Sequence, residues 1–390
     1  MKRSLVLLLV MLLVVPMVAL SACAPAVTTG TTAGTGTTTA APTTTAPTTA
    51  PTSGSTTFDI ALVTDVGNID DKSFNEGTWI GVKNYAEANK ITYAYYRPTE
   101  DSTAARVETI GTAIEKGAKI VVCPGYLFET AVYEVQDKYP EVQFLLIDGE
   151  PHTADYATYK TSTNVHSILF QEEQVGYLAG YAAVMEGYTK LGFLGGMAVP
   201  AVVRYGYGYV QGADAAAAAK GLKAGAVTIK YWYAGGFAPT DDIKNKMAGW
   251  YTEGTDVVFA AGGGIYLSAT AAATAANKKV IGVDVDQSAE SPTIITSAMK
   301  LLTKSVETSL TSIYANNGKW DATYAGKTAM LGAKEGMVGL PTATASWRLT
   351  KWTVAEYEAA FAKLVDGSIV VSSVIDAKPT VKLVTVDYME

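Results

Sequence analysis

Beyond residue 58 the chain alternates short apolar runs with longer stretches of helical spacing, and that rhythm limits the folds open to it. The runs in the first half are Phe58 to Val63, Ile91 to Tyr96, Ala118 to Cys123 and Val142 to Ile147. Those in the second half are Leu191 to Leu194, Val227 to Tyr233, Val257 to Ala260 and Val280 to Val283. Helical patterns lie between them, one from about Ser102 through Val107, Ile110 and Ile114 to a stop at Gly117. Strands separated by helices build parallel sheets covered by helices on both faces. This part of the chain exceeds the usual size of a single core, so the expectation is an α/β protein of two Rossmann-like lobes.

The turn after the first run, Thr64-Asp65-Val66-Gly67-Asn68-Ile69-Asp70-Asp71-Lys72-Ser73-Phe74-Asn75, concentrates acids, an amide and an aromatic. A helix carrying Phe74, Thr78, Val82, Tyr85 and Ala86 follows it, and Ser73 with Glu76 three residues later reads as a capping box. These side chains therefore sit at the carboxyl end of a strand, where open α/β sheets bind ligands. Other candidates fall just after predicted strands: Tyr126, Asp148, Gly262 and Asp284. Strand ends from both lobes would face one cleft.

Asp65-Val66-Gly67 with Ile69-Asp70-Asp71-Lys72-Ser73-Phe74-Asn75 resembles the signature of the basic membrane protein family, nucleoside-binding lipoproteins that serve ABC importers. Ile147-Asp148-Gly149, Gly192-Phe193-Leu194-Gly195-Gly196-Met197, Ala260-Ala261-Gly262-Gly263 and Gly282-Val283-Asp284-Val285-Asp286-Gln287 agree with it in order. The resemblance implies the type I periplasmic-binding-protein architecture, with a hinge of several crossing strands and the ligand in the cleft between lobes. On that model residues 58–164 and 291–318 form the N-terminal lobe, and residues 165–290 and 319–390 the C-terminal lobe.

The resemblance also distributes roles. Phe74 from one lobe and Phe237 from the other would sandwich the base, although Phe237 departs from the family's usual Phe-x-Asp-Pro order. Asp284 would accept from the ribose diol, since charge-assisted hydrogen bonds to a carboxylate are the strong ones. Lys300, opening a helix after the run Ile294 to Met299, would donate to a ribose oxygen. Gly262 and Gly263 would let backbone N–H groups approach the sugar. Asp65, Asn75 and Asp148 would read base edges or anchor the first lobe's side, with Tyr126 beside them. Asp70 and Asp286 read as capping or supporting groups.

Residues 1–22 read as a secretory leader, from the positive Met1-Lys2-Arg3 through the apolar run Leu5 to Leu20. Leu20-Ser21-Ala22-Cys23 resembles a lipobox, which implies cleavage before Cys23 and lipidation of its thiol. Residues 24–57 carry no charge and are nearly all Thr, Ala, Pro, Gly or Ser, so residues 23–57 are expected to be a lipidated cysteine followed by a disordered tether. Cys123 lies in an apolar run and reads as a core residue. The formal charge of −7 falls by two, to −9, without Lys2 and Arg3, which argues against nucleic acid as a partner. Two histidines, His152 and His166, are too few for a His-rich metal site, and no metal or cofactor is expected. Gly206-Tyr207-Gly208 with Gly212 has the wrong spacing for a dinucleotide fingerprint and reads as close helix packing. Glu172-Glu173 reads as a charged helix turn.

The expected protein is thus a non-enzymatic receptor, anchored to the membrane on its extracytoplasmic face through Cys23. It captures a nucleoside, purine by expectation, and passes it to an ABC permease and its ATPase; such receptors are usually monomers. Three readings compete with it: a sugar receptor of the same fold, a nucleoside hydrolase using Asp65 and Asp284, and an adhesive or sensory surface protein. The hydrolase would need one raised and one ionised acid flanking the bond. No nucleophile elbow, metal-ligand cluster or His dyad accompanies those acids.

Overall fold

The computed structural model describes residues 58–389; the expected leader, Cys23 and the tether lie outside the described residues. In chain order the elements are β1 (Ile60–Val63), α1 (Phe74–Asn89), β2 (Tyr93–Tyr96), α2 (Thr103–Glu115), β3 (Ile120–Pro124), α3 (Glu129–Gln136), β4 (Gln143–Ile147), β5 (Val165–Phe170), α4 (Glu172–Glu186), β6 (Lys190–Gly195) and α5 (Pro200–Ala219). There follow β7 (Val227–Tyr233), α6 (Asp241–Thr252), β8 (Val257–Ala261), α7 (Tyr266–Ala276), β9 (Lys279–Asp284), β10 (Ile294–Lys300), α8 (Leu302–Ala315), β11 (Lys327–Leu331), β12 (Val338–Gly339), α9 (Val354–Val365) and β13 (Val384–Tyr388).

All eight apolar runs are strands. In β1, β3, β4 and β8 every residue is buried, which is why the runs are continuous rather than alternating. The strands form two sheets, ordered β2-β1-β3-β4-β5-β11 and β13-β7-β6-β8-β9-β10-β12. The first is parallel throughout. The second is parallel except for the short β12, which pairs antiparallel with β10. Each sheet is the centre of one lobe, giving the two-lobed α/β architecture of the type I periplasmic binding proteins.

Among the described residues the chain passes between lobes three times. β5 lies in the first sheet and α4 packs on α5 and β10, so the first crossing is at Gln171. β10 lies in the second sheet and α8 packs on α1, so the second is at Leu301. The third runs through residues 332–337, from β11 in the first sheet to β12 in the second. These crossings fall later in the chain than the expected boundaries after 164, 290 and 318, because Val165–Phe170 joins the first sheet and Ile294–Lys300 the second. The crossings are tied to one another: Gln171 N donates to Leu331 O at 3.0 Å, and Leu301 N to Met337 O at 2.9 Å.

In the second lobe α4 and α5 meet with their backbones in contact. A Cβ at Gly180 would lie 2.0 Å from Tyr209 O, and one at Gly212 would lie 1.9 Å from Tyr177 O. Gly176 and Gly208 face Tyr205 O and Glu173 O in the same way, at 2.2 and 2.1 Å. Each pair of glycines is spaced four apart on its helix, which lines them along one face. The Gly208 and Gly212 of the sequence motif are therefore packing glycines.

Candidate functional site

A cleft of about 610 Å³ opens between the two rows of strand ends. The ten residues singled out as ligand-binding all line it: Asp65, Phe74, Asn75, Tyr126, Asp148, Phe237, Gly262, Gly263, Asp284 and Lys300. They converge because the strands are parallel, so their carboxyl ends emerge on one side of each sheet.

On the first lobe, Asp65 follows β1. Its Oδ1 accepts from Gly67 N at 2.6 Å and from the Asn75 amide at 2.8 Å. Burial raises the Asp65 carboxyl above its ordinary range, against the pull of those two donors. The helix cap differs from the expected capping box. Ser73 makes no cap bond; Asp71 does the capping, with Oδ1 accepting from Ser73 N at 2.9 Å and Glu76 N at 3.0 Å, and Oδ2 from Asn75 N at 3.1 Å. Glu76 turns instead to Lys72. Burial pushes Asp71 up to about 6 despite these donors. Capping by Asp71 releases the Ser73 hydroxyl, which donates to Asp284 Oδ2 at 2.6 Å.

On the second lobe, three glycines pack against Phe237. A Cβ at Gly196 would lie 2.4 Å from the Phe237 ring, one at Gly262 3.0 Å from it, and one at Gly263 3.1 Å from Phe237 Cβ. Gly262 and Gly263 hold φ of +150° and +50°, and Gly264 N donates to Phe237 O at 2.9 Å. Three glycines thus form the seat of Phe237, whose half-buried ring faces the cleft. Asp286 stands away from the cleft lining and serves the loop, accepting from Ser288 N at 3.0 Å and from Ser346 Oγ.

The floor of the cleft is a buried charge cluster around Lys300. Lys300 is the last residue of β10 and does not open a helix; α8 starts two residues later. Its ammonium contacts Asp148, stands 3.3 Å from Glu172 and 3.8 Å from Asp284, and lies 4.7 Å from the centre of the Phe74 ring. Burial opposes the lysine's charge and the three carboxylates outweigh it, so its proton is held more firmly than in water. Burial raises both Asp148 and Asp284, while Lys300 draws them back down. Asp148 and Asp284 both take left-handed backbone conformations, φ +60° and +65°, at corresponding strand ends of the two sheets. Such strain in a non-glycine residue concentrates at functional sites. Asp148 Oδ1 is buried in the cleft floor with no hydrogen-bond partner.

Glu172 and Glu173 form the charged first turn of α4, as expected, but away from solvent. Both are buried, Glu172 pairing with Arg204 at 2.6 Å as well as with Lys300. Glu172 is a member of the cluster that the sequence did not flag, because its partners lie 32 and 128 residues away. Tyr205 and Val202 of α5 and Tyr266 of α7 also line the cleft unforeseen. Among the described residues no group of three or more His, Cys, Asp or Glu is arranged to hold a metal, and no helix is long and apolar enough to cross a membrane.

A family model described as ABC transporter substrate-binding protein PnrA-like matches residues 58–371. The ABC transporter nucleoside-binding protein BmpA of Lactococcus lactis subsp. cremoris is 29% identical over 245 residues, covering 60% of this chain. The chain spans 65% of that relative's length, just under two thirds. Basic membrane protein A1 of Borrelia garinii subsp. bavariensis is 32% identical over 284 residues, covering 72% of this chain and 78% of that protein. Among solved structures, an ABC transporter solute-binding protein of Aeropyrum pernix superposes with a TM-score of 0.67 at 24% identity, over 81% of this chain and 94% of that one. That last likeness concerns the fold.

Proposed function

The chain belongs to the Bmp family of PnrA-like ABC transporter substrate-binding proteins, and we propose that it captures a nucleoside in the cleft between its lobes and delivers it to a permease. One observation carries the reading: a buried lysine–carboxylate cluster lines the same cleft as an aromatic ring from each lobe, Phe74 and Phe237. A nucleoside has a flat base and a vicinal diol. Two phenyl faces suit the base, and stacking contributes roughly 1–3 kcal/mol per base in nucleic-acid binders. The carboxylates of Asp284 and Asp148 suit the diol, and the unpartnered Asp148 Oδ1 is an acceptor waiting for a donor. Lys300 Nζ, held among them, suits a ribose oxygen. A purine is our choice of base because two fused rings cover more of both phenyl faces than one.

Asp65 and Asn75 belong to the first lobe's end of the same ligand, with Tyr126 beside them. Lipidation at Cys23 would anchor the receptor outside the cytoplasmic membrane, and one receptor would dock on the permease and ATPase assembly as a monomer. The acids act in this reading as hydrogen-bond acceptors, without catalysis. The test is to incubate purified protein with a mixture of nucleosides and sugars and to identify what is retained by mass spectrometry. Intact purine nucleoside is the expected retained species. Retention of a sugar alone would move the ligand class, and steady release of free base would replace binding by hydrolysis.

A further inference from the structure

Tyr126, at the cleft wall, is held by residues that do not themselves line the cleft. It opens a short turn after β3, where Gly125 takes φ +109°. Its hydroxyl hydrogen-bonds the hydroxyl of Tyr156, on the loop between β4 and β5. Tyr156 is 52% exposed and adopts φ +59°, a costly conformation for a large side chain with little burial to repay it. Three neighbours hold it there. Its ring stacks on His152 at 4.3 Å with 25° between planes, Tyr156 N donates to Thr153 O at 2.8 Å, and Asp155 pins the turn by accepting from Thr153 Oγ1 at 2.6 Å and Ala157 N at 3.1 Å.

His152 is itself fixed. It is 3% exposed, with Nδ1 2.7 Å from Thr153 O and Nε2 2.9 Å from Glu129 Oε2. The other Glu129 oxygen accepts from Glu150 N at 2.8 Å, two residues past Asp148. That approach requires Gly149, where a Cβ would come within 2.6 Å of Glu129 Cγ. Glu129 in turn opens α3 directly after the turn that carries Tyr126. The circuit therefore closes on itself, from Glu129 to His152, to Tyr156, to Tyr126 and back along the chain to Glu129. Its two outlets into the cleft are Tyr126 and Asp148.

We propose that Tyr156 is a positioning residue for the ligand site, acting through Tyr126: the bracket of Glu129, His152 and Tyr156 fixes the Tyr126 ring as a wall of the cleft. This inference rests on the nucleoside reading above. A free tyrosine at a cleft rim samples several rotamers, and holding it in one removes an ordering cost that binding would otherwise carry. The loop is thus part of the binding apparatus although it stands outside the cleft.

The test is a double-mutant cycle on the full protein, with guanosine, adenosine and inosine as probes in calorimetric titrations. Tyr156→Phe keeps the stack on His152 and removes only the hydroxyl, and its exposed position favours normal folding. The affinity of the preferred nucleoside should weaken roughly three- to tenfold, the range of one net hydrogen bond. Tyr126→Phe should weaken it comparably, and the double variant no further than Tyr126→Phe alone, because Tyr156 acts through Tyr126. Tyr156→Ala, which also loses the stack, should weaken binding at least as much as Tyr156→Phe. An unchanged dissociation constant in Tyr156→Phe, or losses that multiply in the double variant, would overturn the inference while leaving the nucleoside reading in place. No nucleoside bound by the unaltered protein would remove both.

Discussion

The Ser73 hydroxyl, at the foot of α1 in the first lobe, donates a 2.6 Å hydrogen bond to Asp284 Oδ2, at the end of β9 in the second. Both residues are buried, and Gln287 Nε2 adds a second bridge to Lys72 O at 2.9 Å. Asp284 is thereby oriented by the opposite lobe. Ser73→Ala should weaken nucleoside binding by about 1 kcal/mol, close to a fivefold change in dissociation constant, with helix α1 still capped by Asp71. Titration calorimetry on the variant checks this; an unchanged affinity would mean that Asp284 does not depend on Ser73 for its orientation.

Asp284→Asn should abolish the rise in melting temperature that a nucleoside produces, while leaving the unliganded melting temperature nearly unchanged. Asparagine tolerates the left-handed backbone at this position, so the substitution tests charge rather than strain. A ligand at a hundredfold excess over its dissociation constant stabilises by about 2.7 kcal/mol, which is an easily read shift. An unaltered ligand-induced shift would remove Asp284 from the site.

Glu173 should make the fold less stable as pH rises. Burial raises its carboxyl from 4.5 to about 7, Glu172 adds to the rise, and Arg204 offsets part of it. A carboxyl whose value is higher in the folded chain favours folding while protonated. Its contribution is fully present below pH 4.5 and is lost as pH climbs through 7. The loss is on the order of 3 kcal/mol. Glu173→Gln keeps an uncharged group at every pH, so its melting temperature should fall less than that of the unaltered protein between pH 4.5 and 7.5. Parallel profiles would refute the assignment.

Gly212→Ala should destabilise the second lobe by about 2 kcal/mol or more, because the added methyl would meet the α4 backbone with nothing flexible to yield. Gly249→Ala in α6 is the matching control. Nothing lies within 4 Å of the methyl it would add, so it should stabilise by up to about 1 kcal/mol through helix propensity. Denaturant titrations of the two variants should therefore move in opposite directions.

What the sequence made legible follows from locality. Strands such as Val257–Ala261 are buried on both faces, so their apolar runs speak for themselves. Val165–Phe170 was hidden because His166 and Ser167 interrupt it, although both are buried, with His166 bonded to Lys327 O of the neighbouring β11. The edge strand Lys327–Leu331 is part-exposed and its apolar run is only the three residues Ala329 to Leu331. Part of the cleft lining was readable because Asp65, Tyr126, Asp148, Gly262 and Asp284 stand at or just after strand ends, whereas Phe74 and Phe237 stand farther from theirs and are singled out by the family resemblance. Ser73 was misread because an N-cap is a local pattern, whereas its actual partner is 211 residues away. Glu172 was missed for the same reason: nothing near it in the chain announces Lys300.

The three crossings between lobes have a mechanical consequence. Main-chain hydrogen bonds join Gln171 to Leu331 and Leu301 to Met337, so the crossings lie together as one hinge between the lobes. Bending about this hinge should be the main relative movement of the lobes. Any probe pair placed on opposite lobes should then report the same variable, so that two distances measured at different heights above the hinge rise and fall together.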